Sequence, residues 1–144
     1  MKRRIISLCC ALMMLASVCT AAAASEAETR SSYYFSATDV RAYAEGGGEI
    51  LIEIDINATH TMLEVGASDV YIYEQQSSGS YKNVFTFTSD DYYDDMIETN
   101  TAFANLDLYY QGVSGRKYFA TVAVYARDSE GAERRYYDTW IVTA

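Results

Sequence analysis

From Tyr33 onward, apolar and polar residues alternate one for one over most of the chain. Between Glu49 and Ala58 the alternation is cleanest: Ile50, Ile52, Ile54 and Ile56 fall on one side, and Glu53, Asp55 and Asn57 on the other. Period two is what a pleated strand produces when one face meets a core and the other meets water. A helix would scatter those isoleucines around its axis. The same period governs Gly112–Asp128, the stretch that organises the rest. After a corner with Gly112 and Gly115, one face carries Tyr118, Ala120, Val122, Val124 and Ala126, and the other Phe119, Thr121, Ala123 and Tyr125.

Read in order, the pattern predicts seven strands. The first is Tyr33–Ala44, closed by the turn Glu45-Gly46-Gly47-Gly48, where glycine accepts a positive φ without steric cost. The second is Glu49–Ala58, and Thr59–Ser68 reads as a loop or irregular crossing because alternation fails there. Asp69–Glu74 is a third strand, with Val70 and Ile72 inward and Tyr71 and Tyr73 outward. Gln75–Ser80 is a hairpin loop, and Tyr81–Thr88 is the fourth strand. Ser89–Thr99 reads as an acidic connection and Thr101–Tyr110 as the fifth strand. The organising strand is the sixth. After the Asp128–Gly131 turn, Arg134–Thr143 closes the fold with Trp140 inside it. Short strands at this spacing, rich in aromatic and β-branched residues and free of proline, predict an all-β, antiparallel, seven-stranded β-sandwich.

Composition changes the picture first at the N-terminus. Lys2, Arg3 and Arg4 precede the apolar run Ile5–Val18, and Ala22-Ala23-Ala24 offers small residues before Ser25. Those three parts in order predict a cleaved secretory signal peptide over 1–24. A polar, flexible segment would follow over 25–32, and the folded domain over 33–144. The apolar run is short for a membrane span, so none is expected after cleavage. Cys9, Cys10 and Cys19 all lie in the signal, so the remaining chain has no disulfide, Cys-ligated metal or Cys nucleophile. Its 8 Lys and Arg against 20 Asp and Glu give a net charge of −12. That disfavours nucleic acid and anionic membranes, which need a basic footprint.

Gly115-Arg116-Lys117-Tyr118 leading into Ala120, Val122, Val124 and Ala126 resembles the tyrosine corner and sixth strand of a fibronectin type III-like sandwich within the immunoglobulin-like superfold. Asp69–Val84, DVYIYEQQSSGSYKNV, resembles its third strand, loop and following strand. The likeness implies that the Tyr118 phenol packs inward and bonds the backbone of the corner. There are departures: Ile54 stands where the family carries Trp, and no Cys–Trp–Cys pattern exists. The stretches LIEIDINATHTM, VYIYEQQSSGSYK and YYQGVSGRKYFATV are also similar to small secreted proteins of Gram-positive bacteria grouped as a domain of unknown function. That likeness implies an extracellular sandwich and no activity.

Candidate chemistry is sparse. His60 is the only histidine, and without a Cys or second His it reads as a polar residue at the end of a strand rather than a catalytic or zinc residue. Asn57-Ala58-Thr59 matches a glycosylation sequon. Asp90, Asp91, Asp94 and Asp95, with Glu98, are the only carboxylate run. They read as a solvated connection that protects a sheet edge, with a calcium site as the alternative. Glycoside hydrolysis by paired carboxylates needs a cleft that so small a sandwich has little room for. The surplus of tyrosines is the remaining signal: Tyr33, Tyr34, Tyr71, Tyr73, Tyr92, Tyr93, Tyr109, Tyr110, Tyr136 and Tyr137. Those facing outward can stabilise the sheet by cross-strand pairing or form a binding face. The expectation is a secreted, non-enzymatic module that binds an extracellular protein or glycan. A calcium-dependent module is the alternative, and a small hydrolase comes third.

Overall fold

The computed structural model describes residues 32–144. The expected signal segment 1–24 and residues 25–31 of the polar segment lie outside the described residues. The described strands are β1 (Phe35–Gly46), β2 (Glu49–Gln75), β3 (Tyr81–Thr88), β4 (Ile97–Gln111), β5 (Lys117–Arg127), β6 (Ala132–Asp138) and β7 (Val142–Thr143), with one short helix, α1 (Tyr93–Met96). All pairings are antiparallel. They join the seven strands into one sheet, curled into a half-barrel.

The backbone of this sheet is β2, and it corrects the expected loop at Thr59–Ser68, which is strand throughout. Laid straight, 27 residues would run about 90 Å. A domain of this size has a radius of gyration of only about 13 Å, so β2 has to bend. It does so at two register shifts, between Asn57 and Met62 against β4 and between Ala67 and Asp69 against β5. The buried positions are even up to Met62, odd at Val65 and Ala67, and even again from Val70; the single extra residue between Ala67 and Asp69 turns the pleat over there. Alternation is lost in the sequence while pairing continues.

At Glu64–Gly66, β2 is bonded to β4 and β5 at once, so these lie on opposite edges. β1 pairs with the first half of β2 and β3 with the second. The core gathers on the concave side, where Ile50, Ile52, Ile54 and Ile56 meet Leu106, Leu108, Val122 and Val124, all buried. Glu53, Asp55 and Thr121 face away, half-exposed, which is the register the alternation predicts.

Two further boundaries differ from expectation. β4 begins at Ile97 and passes through Asn100 at φ 54°, a left-handed kink that the short amide side chain tolerates. The acidic connection is shorter by that much and contains α1. The closing strand is in two pieces. Thr139 turns inward, its N–H donating to the Ala120 carbonyl and its Oγ1 accepting from the Ala120 N–H, both at 2.9 Å. Trp140 lies between β6 and β7, outside either strand, and is 81% exposed.

The corner forms as the resemblance implies. Tyr118 is buried, and its Oη accepts from the Val113 N–H at 2.9 Å and donates to Glu74 at 2.6 Å. Gly112 lies under its ring: a Cβ there would sit 2.9 Å from the phenol carbon.

Candidate binding face

The carboxylate run is spread out. Asp94 and Asp95 occupy the first turn of α1, and Asp91 accepts the Thr88 hydroxyl at 2.9 Å. Asp90 is exposed in the preceding turn. Among the described residues, no group of three or more His, Cys, Asp or Glu side chains is gathered in a way that could hold a metal ion.

His60 ties segments together. One ring nitrogen contacts Thr59 Oγ1 and the other Asp128, each at 3.0 Å. The Tyr33 ring packs edge-on against it, and the Tyr33 hydroxyl donates to Glu130. Burial opposes the charge on Asp128. The N–H groups of Glu130 and Gly131 and the His60 ring outweigh it and hold the carboxyl below its usual range. The arrangement fastens the start of β1 to the β5–β6 turn.

The ten tyrosines do not share a face. Tyr73 stacks on Phe119 at 4.8 Å, and Tyr81 meets the same ring edge-on. These rings spend their faces on one another, the pairing that stabilises a sheet. Tyr92 packs on Phe87, and the Tyr93 hydroxyl donates to Glu64 at 3.1 Å. Tyr110 packs on Phe85 and Tyr118, and Tyr137 lies against the core. Tyr136 and Tyr109 remain open, at 59% and 56% exposure.

Tyr109 belongs to a surface that the tyrosine list alone does not reveal. On the convex side of β1, β2 and β4, register sets four rows across the three strands. They are Tyr43–Leu51–Tyr109, Arg41–Glu53–Asp107, Asp39–Asp55–Asn105 and Ala37–Asn57–Phe103. Strand spacing and rise make the face about 10 Å wide and 20 Å long. Tyr43 and Phe103 are 41% and 66% exposed, and no ring packs on Tyr43, Phe103 or Tyr109 among the described residues. Aromatic rings therefore close both ends of a field of four carboxylates and one guanidinium. Arg41 binds Glu53 at 3.3 Å and also Asp39, and Asp39, with Tyr43, holds it firmly charged. Asn105 donates to Asp55. Asp107 has no hydrogen-bond or ion-pair partner among the described residues. The sequon residue Asn57 is exposed within the last row.

The sequence reading missed Tyr43, Phe103 and these carboxylates as a group. The signal was present in the Glu45–Gly48 turn, which fixes the β1–β2 register and so sets Tyr43 beside Leu51. The β4 register needed the fold.

Among the described residues no helix is long and apolar enough to cross a membrane. No protein-family model matches the chain, and no curated protein matches it.

Proposed function

We propose that the chain is a secreted, non-enzymatic module of fibronectin type III-like sandwich build that binds a protein or glycan outside the cell or at its envelope. One observation carries this reading: the convex face of β1, β2 and β4 holds three open aromatic rings around a polar field. Large apolar side chains left open on regular strands cost solubility and gain nothing for the core, whereas rigid rings supply contact area at low entropic cost. The rings stand on strands held in register by β2, so they are presented at a low cost of ordering on binding.

The test is an array of glycans and extracellular protein segments probed with the purified chain and with a Tyr43→Ser/Phe103→Ser/Tyr109→Ser variant. Capture that the variant loses at an unchanged melting temperature supports the reading. Capture that the variant keeps in full moves the site off this face.

A further inference from the structure

We infer that the convex face of β1, β2 and β4 takes a cationic partner, a Lys- or Arg-rich polypeptide segment lying extended along β2. The inference rests on the proposal that this face is the binding site, and names the chemistry it selects. Register sets Asp39 directly opposite Asp55, and Glu53 directly opposite Asp107. Like charges in directly opposed positions destabilise a sheet, and a protein that needs only solubility can intersperse its charges instead.

Elsewhere on the sheet three strand carboxylates meet arginines. Glu64 pairs with Arg127 at 2.9 Å, Glu133 with Arg135 at 2.6 Å and Asp69 with Arg134 at 3.8 Å. On the convex face of β1, β2 and β4 the one cation among the described residues, Arg41, is shared between Asp39 and Glu53, and Asp107 has no partner among them. The missing positive charge is the complement that a basic segment supplies.

The aromatic ends fit the same partner. Lys and Arg lay their methylene stems on apolar surface and set their charge over ring faces, and Tyr43, Tyr109 and Phe103 offer such rings. Rows along β2 recur every two residues, about 6.7 Å apart, which is also the spacing of same-side residues in an extended peptide. A basic residue at every second position therefore meets successive rows. This commensurate spacing favours a polypeptide over a cationic sugar polymer.

The experiment measures binding of a fluorescent octapeptide alternating Lys with Thr, its Glu-Thr counterpart, and a chitosan oligosaccharide to the purified chain. The Lys-Thr peptide should bind and the Glu-Thr peptide should not. Raising salt from about 50 mM to about 300 mM should weaken binding severalfold, since these charges are open to solvent. Glu53→Gln/Asp107→Asn should weaken it about tenfold. Glu130→Gln/Asp138→Asn, the same change of charge elsewhere on the surface, should alter it less than about twofold. No variant should melt below the parent, so that a loss of binding is not a loss of fold.

Absence of Lys-Thr peptide binding at low salt overturns the inference, and so does equal loss in the two charge variants, which would mean general attraction to an acidic protein. Chitosan binding at this face without peptide binding overturns the polypeptide assignment and leaves the binding-face proposal standing. Peptide binding that ignores both Glu53→Gln/Asp107→Asn and the ring variant overturns both.

Discussion

At the scale of single residues, the tightest device is the corner around Tyr118. Its hydroxyl is spent twice, on the Val113 N–H and on the Glu74 carboxylate, and Arg116 reaches Glu74 from the other side. Tyr118→Phe keeps the ring and strands the Val113 N–H. The expected loss is about 1 kcal/mol, or several degrees in melting temperature for a domain of this size, read by thermal unfolding. The Tyr118 hydrogen bond is also the largest reason that Glu74 is held below the usual carboxylate range; burial opposes it and Arg116 adds to it. Glu64 is lowered chiefly by its hydrogen bond from Arg127. Glu133 is lowered because Ser32 and Arg135 outweigh burial. With Asp128, that makes four carboxyls whose folded pKa is depressed. Their contribution is fully present above the unfolded value and is lost as pH falls through the folded one. Stability should therefore hold through neutral pH and decline below about pH 4.5. Urea midpoints across a pH series check this, and a flat profile between neutrality and strong acid would contradict it.

At the scale of elements, β2 decides most. Its central Val65–Ser68 stretch is buried on both sides, because α1 and the start of β4 close directly over it. Gly66 makes that approach possible: a Cβ there would lie 2.0 Å from the Met96 carbonyl oxygen. The obstacle is backbone, which cannot rotate away as a side chain can. Gly66→Ala should cost about 1–3 kcal/mol or more, measured by urea unfolding. Wild-type stability for this variant would mean that α1 does not pack there. Ile54, fully buried at the centre of β2, gives the complementary expectation. Ile54→Ala should cost about 2–5 kcal/mol, the transfer term plus the cavity it leaves.

At the scale of the whole molecule, charge is the organising fact. The chain after residue 24 has 8 basic residues against 20 acidic ones, and on the sheet those few arginines are concentrated on the β2–β5–β6 side. The convex face of β1, β2 and β4 is thereby left negative. The secretory reading belongs to this scale too, because the basic residues at the N-terminus are what export would remove. The mature protein should begin at or near Ser25. Intact mass of the exported chain measures this directly, and retention of Met1–Ala24 would undo the argument for its compartment.

The amino-acid sequence by itself determined what depends on local period. The isoleucines of β2, the Val122–Val124 face and the outward set of Glu53, Asp55 and Thr121 could all be read from alternation, because a pleat imposes it wherever one side is buried. Tyr118 was legible through the likeness of its glycine corner and alternating strand to a tyrosine corner. What tertiary structure decided is whatever depends on two distant segments meeting. Thr59–Ser68 breaks period two and still forms strand, because β4 and β5 hold its backbone while bulges turn its side chains over. The curl of one sheet into a half-barrel follows from those bulges. The proposed binding face follows from register, since Asp107 faces Glu53, and Phe103 faces Asn57, only once β4 pairs with β2 across some fifty residues of chain. Non-local pairing leaves no mark in the local pattern of either strand, so the residues of that face were visible one by one and not as a group.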